Sequence, residues 1–420
     1  MNTLQKPELL APVQDWNTLK SFNIDGLPDA IYFGVKNFNM REKAVNFNKN
    51  DLREIVKYCN DQEPKIKTYL TTNIIIYTEE LEELENLILE AKNAGIDAII
   101  VHDLAAIKIA LRNSMPFHIS TQSNISNIES ARFFEDLGAK RIVLARELSL
   151  KQIKKIKKGL NKCELECFIH GAMCTSISGR CYLSATICES TEFSANRGRC
   201  VQPCRRNWRV IDDDNHELLY DGQRFLNSKD LCMIEYIPEL IDSGIDSFKI
   251  EGRMKDPIYV REVTQCYREA IVSHQDGSFS KDKVRYWLER LSKVFNRGFH
   301  TGFYFRKPTI QEIELQIEGN VSPYRKKYVG KVLTFNDSSK TANILIENKN
   351  IPLRIGSEII LQGADIFRFE TVKKIFIHGE KVKSIMRTDK DAPLKINARL
   401  AEGARPEDKI FVLIKEDFMV

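Results

Sequence analysis

Short apolar segments alternate with amphipathic ones through the first half of the chain. Eight of these segments are continuous apolar runs, a pattern typical of strands buried on both faces of a parallel sheet. The predicted strands cover residues 8–12, 30–35, 65–72, 98–103, 117–122, 141–147, 165–170 and 247–252. The alternation predicts an α/β fold, a closed (β/α)8 TIM-like barrel. An open doubly wound sheet is the alternative, and no glycine-rich phosphate turn after the first strand supports it.

The amphipathic segments between the strands carry helix start and stop signals. The clearest covers residues 78–93, where acidic side chains fill the first turn and Gly95 follows the end. Further helices are predicted over residues 51–60, 128–137, 150–160, 233–243, 257–274 and 281–296. The barrel domain is therefore predicted to cover residues 1–305.

The pattern changes after a predicted linker at residues 306–321. From there β-branched runs are broken by turn residues, and residues 336–339 and 378–380 are typical of hairpin turns. These features predict a small C-terminal antiparallel β-barrel domain over residues 322–420.

Composition fits a globular protein that does not enter membranes. Hydrophobic residues make up 43% and charged residues 29% of the 420 residues, which are ordinary values for such proteins. The first residues lack the apolar stretch of a secretory signal, and no apolar run is long enough to cross a bilayer. A cytoplasmic protein without a membrane partner is expected. The net charge of +5 permits an anionic partner such as RNA.

The candidate chemistry concentrates in one cysteine-rich stretch. Of the ten cysteines, only Cys59 and Cys266 lie outside it. The others are Cys163, Cys167, Cys174, Cys181, Cys188, Cys200, Cys204 and Cys232. In a reducing cytoplasm, clustered thiols are more often metal ligands or redox groups than disulfides. Because six of these eight cysteines follow the seventh predicted strand, residues 171–232 are predicted to form a Cys-rich insertion over the mouth of the barrel.

The spacing of the thiols leaves three interpretations open. It matches neither the paired CxxC motifs of a zinc ribbon nor the CxxCxxC run of bacterial ferredoxins. Glycines beside the thiols favour loops around a bulky iron–sulfur cluster, because backbone N–H groups can then approach its sulfurs. Structural zinc and buried free thiols are the alternatives.

Several sequence blocks resemble those of the U32 family. That family was classed as peptidases, has collagenase-like members and contains hydroxylases of RNA and of the ubiquinone pathway. The blocks are Glu166-Cys-Phe-Ile-His170-Gly171-Ala-Met-Cys174, Gly179-Arg-Cys181, Asn196-Arg-Gly-Arg-Cys200, Asn227-Ser-Lys-Asp-Leu-Cys232, Phe248-Lys-Ile-Glu-Gly-Arg253, Tyr32-Phe-Gly34 and His118-Ile-Ser-Thr-Gln122. The resemblance covers nearly the whole chain. The size and two-domain plan of the chain resemble those of the family branch that hydroxylates the wobble uridine of certain tRNAs.

The resemblance implies a 4Fe-4S cluster as the cofactor and prephenate as a co-substrate. Cys174 and Cys181 match the ligand signature, and Cys200 matches the third ligand. Cys232 is favoured as the fourth ligand, with Cys204 as the alternative. Packing roles are left for Cys163, Cys167 and Cys188. The implied partners are tRNA, the small dicarboxylate co-substrate and a related U32 subunit.

Polar residues near the carboxyl ends of the predicted strands are the candidate catalytic groups, because a barrel enzyme carries its active site at that face. They are His118, Gln122, His170, Lys249, Glu251 and Arg253. Each histidine can donate a proton or bind substrate if it projects toward the mouth. The alternative is a histidine that is hydrogen-bonded to a neighbouring loop.

Arginines surround the thiols of the predicted insertion. Arginine pairs with phosphate oxygens in a bidentate manner, which predicts RNA binding by this group. The candidates are Arg197, Arg199, Arg205 and Arg206. A solvated surface with scattered ion pairs is the alternative.

Two functions other than RNA hydroxylation stay open. The family name suggests a U32 peptidase, yet no single cysteine stands out as a nucleophile, and the sequence has neither an HExxH nor a GxSxG motif. The other function is a non-catalytic RNA-binding protein in which zinc holds the insertion together.

Overall fold

The computed structural model of the protein describes residues 6–22, 28–218, 224–363, 367–388, 393–400 and 403–416. The chain divides into two compact units. One comprises Met1–Trp16 and Phe22–Val321, and the other comprises Asn17–Ser21 and Ser322–Val420. No helix within the described ranges is both long and apolar enough to cross a membrane.

One sheet of ten described strands organises the first unit. The strands are β1 (Glu8–Pro12), β2 (Ala30–Phe33), β3 (Lys67–Thr72), β4 (Ala98–Val101), β5 (Phe117–Ile119), β6 (Arg141–Val143), β7 (Glu164–Ala172), β8 (Asp230–Cys232), β9 (Ser247–Ile250) and β10 (Phe299–His300). Neighbours from β1 to β7 pair in parallel, and β9 pairs in parallel with both β7 and β1. The predicted closed barrel of eight parallel strands is confirmed. β8 and β10 extend the sheet beside it, with β8 antiparallel to β7.

Some strands end earlier than predicted. β5 stops at Ile119, after which Ser120 accepts a hydrogen bond from the backbone N–H of Gln122 at 3.3 Å. A 3-10 turn over Thr121–Ser123 follows. Serine side chains compete for backbone groups in this way, so an apolar run can overestimate the strand that it contains.

Helices occupy the connections between the barrel strands. The α-helices are α1 (Trp16–Leu19), α2 (Leu52–Asn60), α3 (Leu81–Ala94), α4 (Leu104–Arg112), α5 (Ile128–Asp136), α6 (Leu150–Gly159), α7 (Leu183–Ile187), α8 (Ile237–Asp242), α9 (Pro257–Gln275) and α10 (Lys281–Lys293). α3 ends on Gly95 in the left-handed conformation, as its sequence predicted. α4 was not predicted, and Asp103 was assigned to the preceding strand. Asp103 instead caps α4 and accepts a hydrogen bond from the N–H of Ala105 at 2.9 Å.

A buried ion network crosses the barrel near the amino-terminal ends of its strands. Arg141 of β6 donates to Glu8 of β1 at 2.5 Å and to Glu166 of β7 at 3.2 Å. Lys249 of β9 donates to Glu166 at 2.7 Å. The side chain of Glu166 is 0% exposed, and those of Arg141 and Lys249 are 3% and 5% exposed. The network therefore joins the strands on both sides of the β7–β9 contact that closes the barrel.

Antiparallel strands make up the described part of residues 322–420. They are β11 (Tyr324–Asn336), β12 (Thr341–Ile346), β13 (Leu353–Arg354), β14 (Glu358–Gln362), β15 (Phe367–Thr371), β16 (Lys374–Ile377), β17 (Glu380–Val382), β18 (Ser384–Ile385), β19 (Leu394–Arg399) and β20 (Lys409–Lys415). Eight of them form a sheet in the order β15-β14-β20-β11-β12-β19-β16-β17, and β13 pairs with β18. The predicted antiparallel β-domain is confirmed. The two predicted hairpin turns connect β11 to β12 and β16 to β17.

Replacing Glu166 by alanine is expected to destabilise the barrel by about 3–5 kcal/mol, because Lys249 and Arg141 would keep buried charges without this partner. Glu164→Ala is the matched control. Glu164 also accepts from Arg141, at 2.6 Å, but its side chain is 46% exposed, so its loss should cost no more than about 1 kcal/mol. Denaturant unfolding followed by circular dichroism measures both variants, and equal losses would contradict a special role for Glu166.

Candidate functional site

A cavity lies at the carboxyl-terminal mouth of the barrel, and we call it the barrel cavity. Its empty space is about 990 Å³ when the open solvent at its entrance is included. Five of the six residues predicted as catalytic line it. They are Gln122, His170, Lys249, Glu251 and Arg253. These residues come from β7, β9 and the turns after β5 and β9. Because parallel strands end at the same face of a barrel, the fold by itself brings them together.

His118, the sixth predicted residue, is not part of the lining of the barrel cavity. β5 pairs His118 with Arg141 at the start of β6, and its ring centroid lies 4.6 Å from that of Tyr69. Burial, followed by the charges of Arg141 and Lys249, lowers the pKa of His118 well below its ordinary value. The expected position of His118 at the mouth is corrected, because the strand register places this neutral imidazole one layer deeper.

Two arginines and one glutamate form a charged cluster in the barrel cavity. Arg41, on the loop after β2, donates from Nε to Glu251 at 3.2 Å. Arg253 donates from Nη1 to Asn39 at 3.1 Å and to Thr71 at 3.0 Å. Its Nε is buried and has no hydrogen-bond partner among the described residues. Two guanidinium groups thus accompany one carboxylate, and the cluster is net positive.

Burial and neighbouring charges set the protonation of these groups. Burial opposes the charge of Glu251, but Arg41 and Arg253 hold its pKa below the ordinary value. Burial lowers the pKa of Arg253 to about 10, which leaves the group charged at neutral pH. Burial lowers the pKa of His170 to about 3. His170 is therefore a neutral group, and its Nδ1 lies 3.3 Å from the hydroxyl of Tyr267.

Lys249 and Glu251 have separate partners, although they lie two residues apart near the end of β9. Lys249 pairs with Glu166 toward the base of the barrel, and its ammonium lies 4.3 Å from the centroid of the Tyr32 ring. Glu251 pairs with Arg41 near the mouth. The cation of Lys249 is thus already neutralised, and the free positive charge of the cavity resides on its arginines.

A second cavity adjoins the first, and we call it the thiol cavity. Its empty space is about 1020 Å³ when the open solvent at its entrance is included. Four thiols line it, those of Cys174, Cys181, Cys200 and Cys204. Arg41, Gln122 and Arg146 line both cavities. The two spaces therefore share a wall that carries two positive charges.

Cys232, the fourth ligand favoured from the sequence, is not part of the lining of the thiol cavity. It lies on β8 opposite His170 of β7, and its sulfur is 3.8 Å from the hydroxyl of Tyr267. Burial raises the pKa of Cys232 to about 11. Cys204 is the thiol that the insertion places beside the other three.

The three cysteines predicted to have packing roles lie in different surroundings. Cys163 and Cys167 are buried, and Cys188 is half-buried. Burial raises the pKa of Cys163 to about 12. A buried thiol of this kind is a poor nucleophile at neutral pH.

The donor set of the thiol cavity fits an iron–sulfur cluster. In the part of the chain that the structure describes, no three Cys, His, Asp or Glu side chains converge as ligands of one ion. A 4Fe-4S cluster takes one thiolate at each iron, so its ligands lie further apart than those of one ion. Burial opposes ionisation of Cys174, but Arg146 and Ser176 hold its pKa below the ordinary value. Four thiols without histidine, one of them favoured as thiolate, suit iron and sulfide.

Two glycines allow the insertion to contact the barrel loops closely. Gly179 and Gly198 have φ angles of 99° and 82°, which side-chain-bearing residues rarely adopt. A Cβ at Gly179 would lie 2.0 Å from the carbonyl oxygen of Gln122, and one at Gly198 would lie 2.2 Å from that of Asn39. The backbone of the insertion therefore packs directly against the backbone of the barrel loops at both glycines.

Ion pairs engage two of the arginines that were predicted to bind RNA. Arg197 donates to Glu80 at 2.5 Å, and Arg199 donates to Glu42 at 2.5 Å. Both carboxylates belong to the connections that follow β2 and β3. These ion pairs attach the insertion to the barrel, and RNA binding by Arg197 and Arg199 stays a prediction.

The remaining two arginines differ from each other. Arg205 donates to the carbonyl oxygen of Met173 at 2.7 Å and to Asn227 Oδ1 at 3.0 Å. These bonds hold the two ends of the insertion together, so Arg205 also has a structural role. Arg206 is exposed, and it has no ion pair among the described residues. Arg206 keeps the surface position that RNA binding requires, and the paired side chain of Arg199 is still 38% exposed.

Arg41 was not selected from the sequence, and Arg146 was predicted only to lie at the carboxyl end of the sixth barrel strand. Arg146 follows β6 and donates from Nε to Ser178 at 3.1 Å. The end of a barrel strand is the signal that placed Arg146 near the mouth, although it did not distinguish Arg146 as a site residue. Arg41 lies on a loop well beyond the end of β2, and no local pattern marks it, since only folding brings it to Glu251.

The fold and the site define a class of protein, a (β/α)8 barrel with a thiol-bearing insertion at the carboxyl-terminal face of its strands. The sequence model of peptidase family U32 matches residues 14–314. The chain therefore belongs to peptidase family U32.

Relatives with different names are similar over most of the chain. An uncharacterized protease of Methanocaldococcus jannaschii is 41% identical over 97% of this chain and 98% of its own length. A collagenase of Porphyromonas gingivalis is 36% identical over 98% of each chain. tRNA hydroxylation protein P1 of Bacillus subtilis is 34% identical over 89% of this chain and 87% of its own. The names of these relatives thus include both proteolysis and RNA hydroxylation.

Gly198→Ala is expected to loosen the insertion, because its Cβ would meet the carbonyl oxygen of Asn39. Gly138→Ala is the matched control, since Gly138 also has a positive φ of 94° but no atom lies within 4 Å of its Cβ position. Both variants carry a similar backbone cost of about 1 kcal/mol. Hydrogen exchange of residues 173–204 should rise in Gly198→Ala alone, and an equal rise in both variants would argue against the contact.

Proposed function

We propose that this chain is a tRNA-modifying enzyme that adds a hydroxyl group to a wobble uridine, with 5-hydroxyuridine as the product. The observation that carries the proposal is the wall of Arg41, Gln122 and Arg146 between a thiol-lined cavity and a cationic cavity. The similarity to a relative named tRNA hydroxylation protein P1 supports RNA as the substrate class.

A 4Fe-4S cluster held by Cys174, Cys181, Cys200 and Cys204 is part of the proposal. The common lining of these four thiols supports Cys204 over Cys232 as the fourth ligand. Arg146, which favours the thiolate of Cys174, would also offset the negative charge of a thiolate-bound cluster. When bound, such a cluster supplies one-electron chemistry.

The barrel cavity is the proposed site of the small dicarboxylate co-substrate, which the family resemblance names as prephenate. Arginine binds carboxylates through parallel N–H donors. Arg253 uses Nη1 for Asn39 and Thr71, which leaves its Nε without a protein partner among the described residues. His170 is neutral, so it can donate a hydrogen bond to the same ligand, or accept one from it, without adding charge.

Uridine would enter from the side of the thiol cavity. Anticodon-loop bases leave their stack at low cost, and an enzyme that modifies the ring requires this step. Lys43 and Arg180 line the thiol cavity, and their charges can hold the phosphates that flank an extruded base.

A peptidase is the other candidate that the relatives suggest. Within the described residues, the arrangement most similar to a nucleophile and its base is the 3.4 Å contact between Ser123 and Nδ1 of His102. Nε2 of His102 lies 3.2 Å from the guanidinium of Arg180, where a serine protease has a carboxylate on the far side of its histidine. Burial, and then Arg180, lower the pKa of His102 to about 4, which makes it a weak general base at neutral pH. The geometry favours the hydroxylase over the peptidase.

Serine substitution of each lining cysteine is expected to remove most of the bound iron, since a serine oxygen does not replace a soft thiolate. The variants are Cys174→Ser, Cys181→Ser, Cys200→Ser and Cys204→Ser. Cys163→Ser and Cys232→Ser are the controls and should retain the iron of the parent protein. Iron and sulfide are measured after anaerobic purification. If Cys232→Ser lost the iron and Cys204→Ser retained it, the fourth ligand would be Cys232 and not Cys204.

Deleting the gene should remove 5-hydroxyuridine-derived nucleosides from the tRNA pool, as measured by mass spectrometry of nucleosides. Cells are grown without oxygen, so that an oxygen-dependent route cannot compensate. Complementation with the wild-type gene or with Cys188→Ser should restore the nucleosides, whereas Cys204→Ser should not. Persistence of the nucleosides in the deletion strain, or cleavage of collagen peptides by the purified protein, would favour the peptidase.

A further inference from the structure

The positive charge of the chain lies in its C-terminal part. Residues 322–420 contain 19 Lys and Arg against 13 Asp and Glu, a net charge of +6. Residues 1–321 contain 44 Lys and Arg against 45 Asp and Glu, a net charge of −1. Such a charge asymmetry between two parts of one chain indicates a polyanionic partner for the basic part.

The sheet of the C-terminal unit gathers part of this charge on one side. β19 is exposed at Lys395, Asn397 and Arg399, and it is buried at Ile396 and Ala398 between them. Alternate residues of a strand point to opposite sides of a sheet. The three exposed side chains of β19 therefore lie on the same side, away from the apolar core.

The two strands next to β19 add cations and a ring to this side. The register places Lys374 of β16 opposite Arg399, and Phe376 opposite Asn397. On the next strand, Lys381 of β17 lies opposite Phe376. Directly opposed residues of antiparallel strands share a face. We define the basic face as Lys374, Phe376, Lys381, Lys395, Asn397 and Arg399.

The four cations of the basic face have no ion pair among the described residues. Other lysines of the same unit do have one, such as Lys331 with Glu407 at 2.8 Å and Lys327 with Glu416 at 3.0 Å. None of the six positions of the face is an acid. Like charges on neighbouring strands repel each other, so this arrangement leaves four cations for a ligand that is not part of the unit.

The chemistry of the basic face matches single-stranded RNA. Phe376 is half-buried between the cations, and an aromatic ring on an open sheet stacks on unpaired bases while neighbouring cations hold phosphates. The side-chain amide of Asn397, opposite Phe376, can donate to and accept from a base edge. An anionic membrane requires apolar side chains that protrude from the surface, whereas Phe376 and Leu345, which lies opposite Lys395 on β12, are both half-buried.

We propose that the basic face binds an unpaired segment of RNA and supplies affinity for the tRNA that the barrel modifies. The choice of RNA as the polyanion rests on the proposed function. The charge, the register and the lack of internal ion pairs stand independently of it.

The test compares two full-length variants that lose the same charge. Lys381→Gln, Lys395→Gln and Arg399→Gln are combined in the face variant. Lys151→Gln, Lys155→Gln and Lys158→Gln, at three exposed positions of α6, are combined in the control variant. Binding of labelled tRNA is measured by anisotropy at several KCl concentrations. The face variant should bind at least about tenfold more weakly, with a slope of log Kd against log salt that is smaller by about two, because three phosphate contacts are lost.

The control variant should keep the affinity and the salt slope of the parent protein. Equal weakening in both variants would show that net charge alone governs binding and would overturn the proposal, as would a face variant that binds like the parent. Phe376→Leu keeps an apolar side chain but removes the ring, and it should weaken binding about tenfold with an unchanged salt slope. Thermal unfolding of each variant shows whether the domain is folded.

Anionic vesicles of phosphatidylglycerol test the membrane as partner. Vesicle binding that depends on the face, together with tRNA binding that does not, would overturn the choice of RNA. The outcomes also separate this proposal from the hydroxylase. Nucleosides that persist in the deletion strain, with tRNA binding still dependent on the face, would reject the hydroxylase alone. Nucleosides that disappear, with a face variant that binds tRNA normally, would reject the basic face alone.

Discussion

The ion network of Glu8, Arg141, Glu166 and Lys249 is the constraint on which the barrel depends. The chain leaves the barrel after β7 and returns only at β9, so no short connection sets the register of this pair. Because a buried charge without a partner is costly, Glu166 must meet both Arg141 and Lys249. A shift of one residue would turn these side chains to the other face of the sheet. The charges therefore specify where the barrel closes.

Once β7 and β9 are in register, the position of the insertion follows. Its amino-terminal end continues β7, and its carboxyl-terminal end returns as β8, antiparallel to β7. The thiols lie on the intervening loops, which Gly179 and Gly198 allow to approach the barrel backbone. The thiol cavity and the barrel cavity consequently share Arg41 and Arg146. The same closure that stabilises the barrel thus places the thiols next to the cationic cavity.

Arginine and lysine have different uses in different parts of the chain. In the insertion, Arg197, Arg199 and Arg205 form internal ion pairs or hydrogen bonds, so their charges hold loops in place. In the barrel cavity, Arg253 is buried, and one of its N–H donors has no partner among the described residues. Composition alone does not separate these uses, because a guanidinium with an internal carboxylate and one that awaits a ligand contribute equally to net charge.

The sequence by itself determined the eight barrel strands, the antiparallel C-terminal domain and the stretch that carries the thiols. These features depend on the period of apolar residues and on turn chemistry, both of which are local. It also indicated five residues of the barrel cavity, because parallel strands end at one face. Only the tertiary structure decided that Cys204 joins the other three thiols, that His118 lies beneath the cavity and that Arg41 reaches Glu251. Those outcomes depend on which distant segments meet and on the register between them, and no local pattern encodes either.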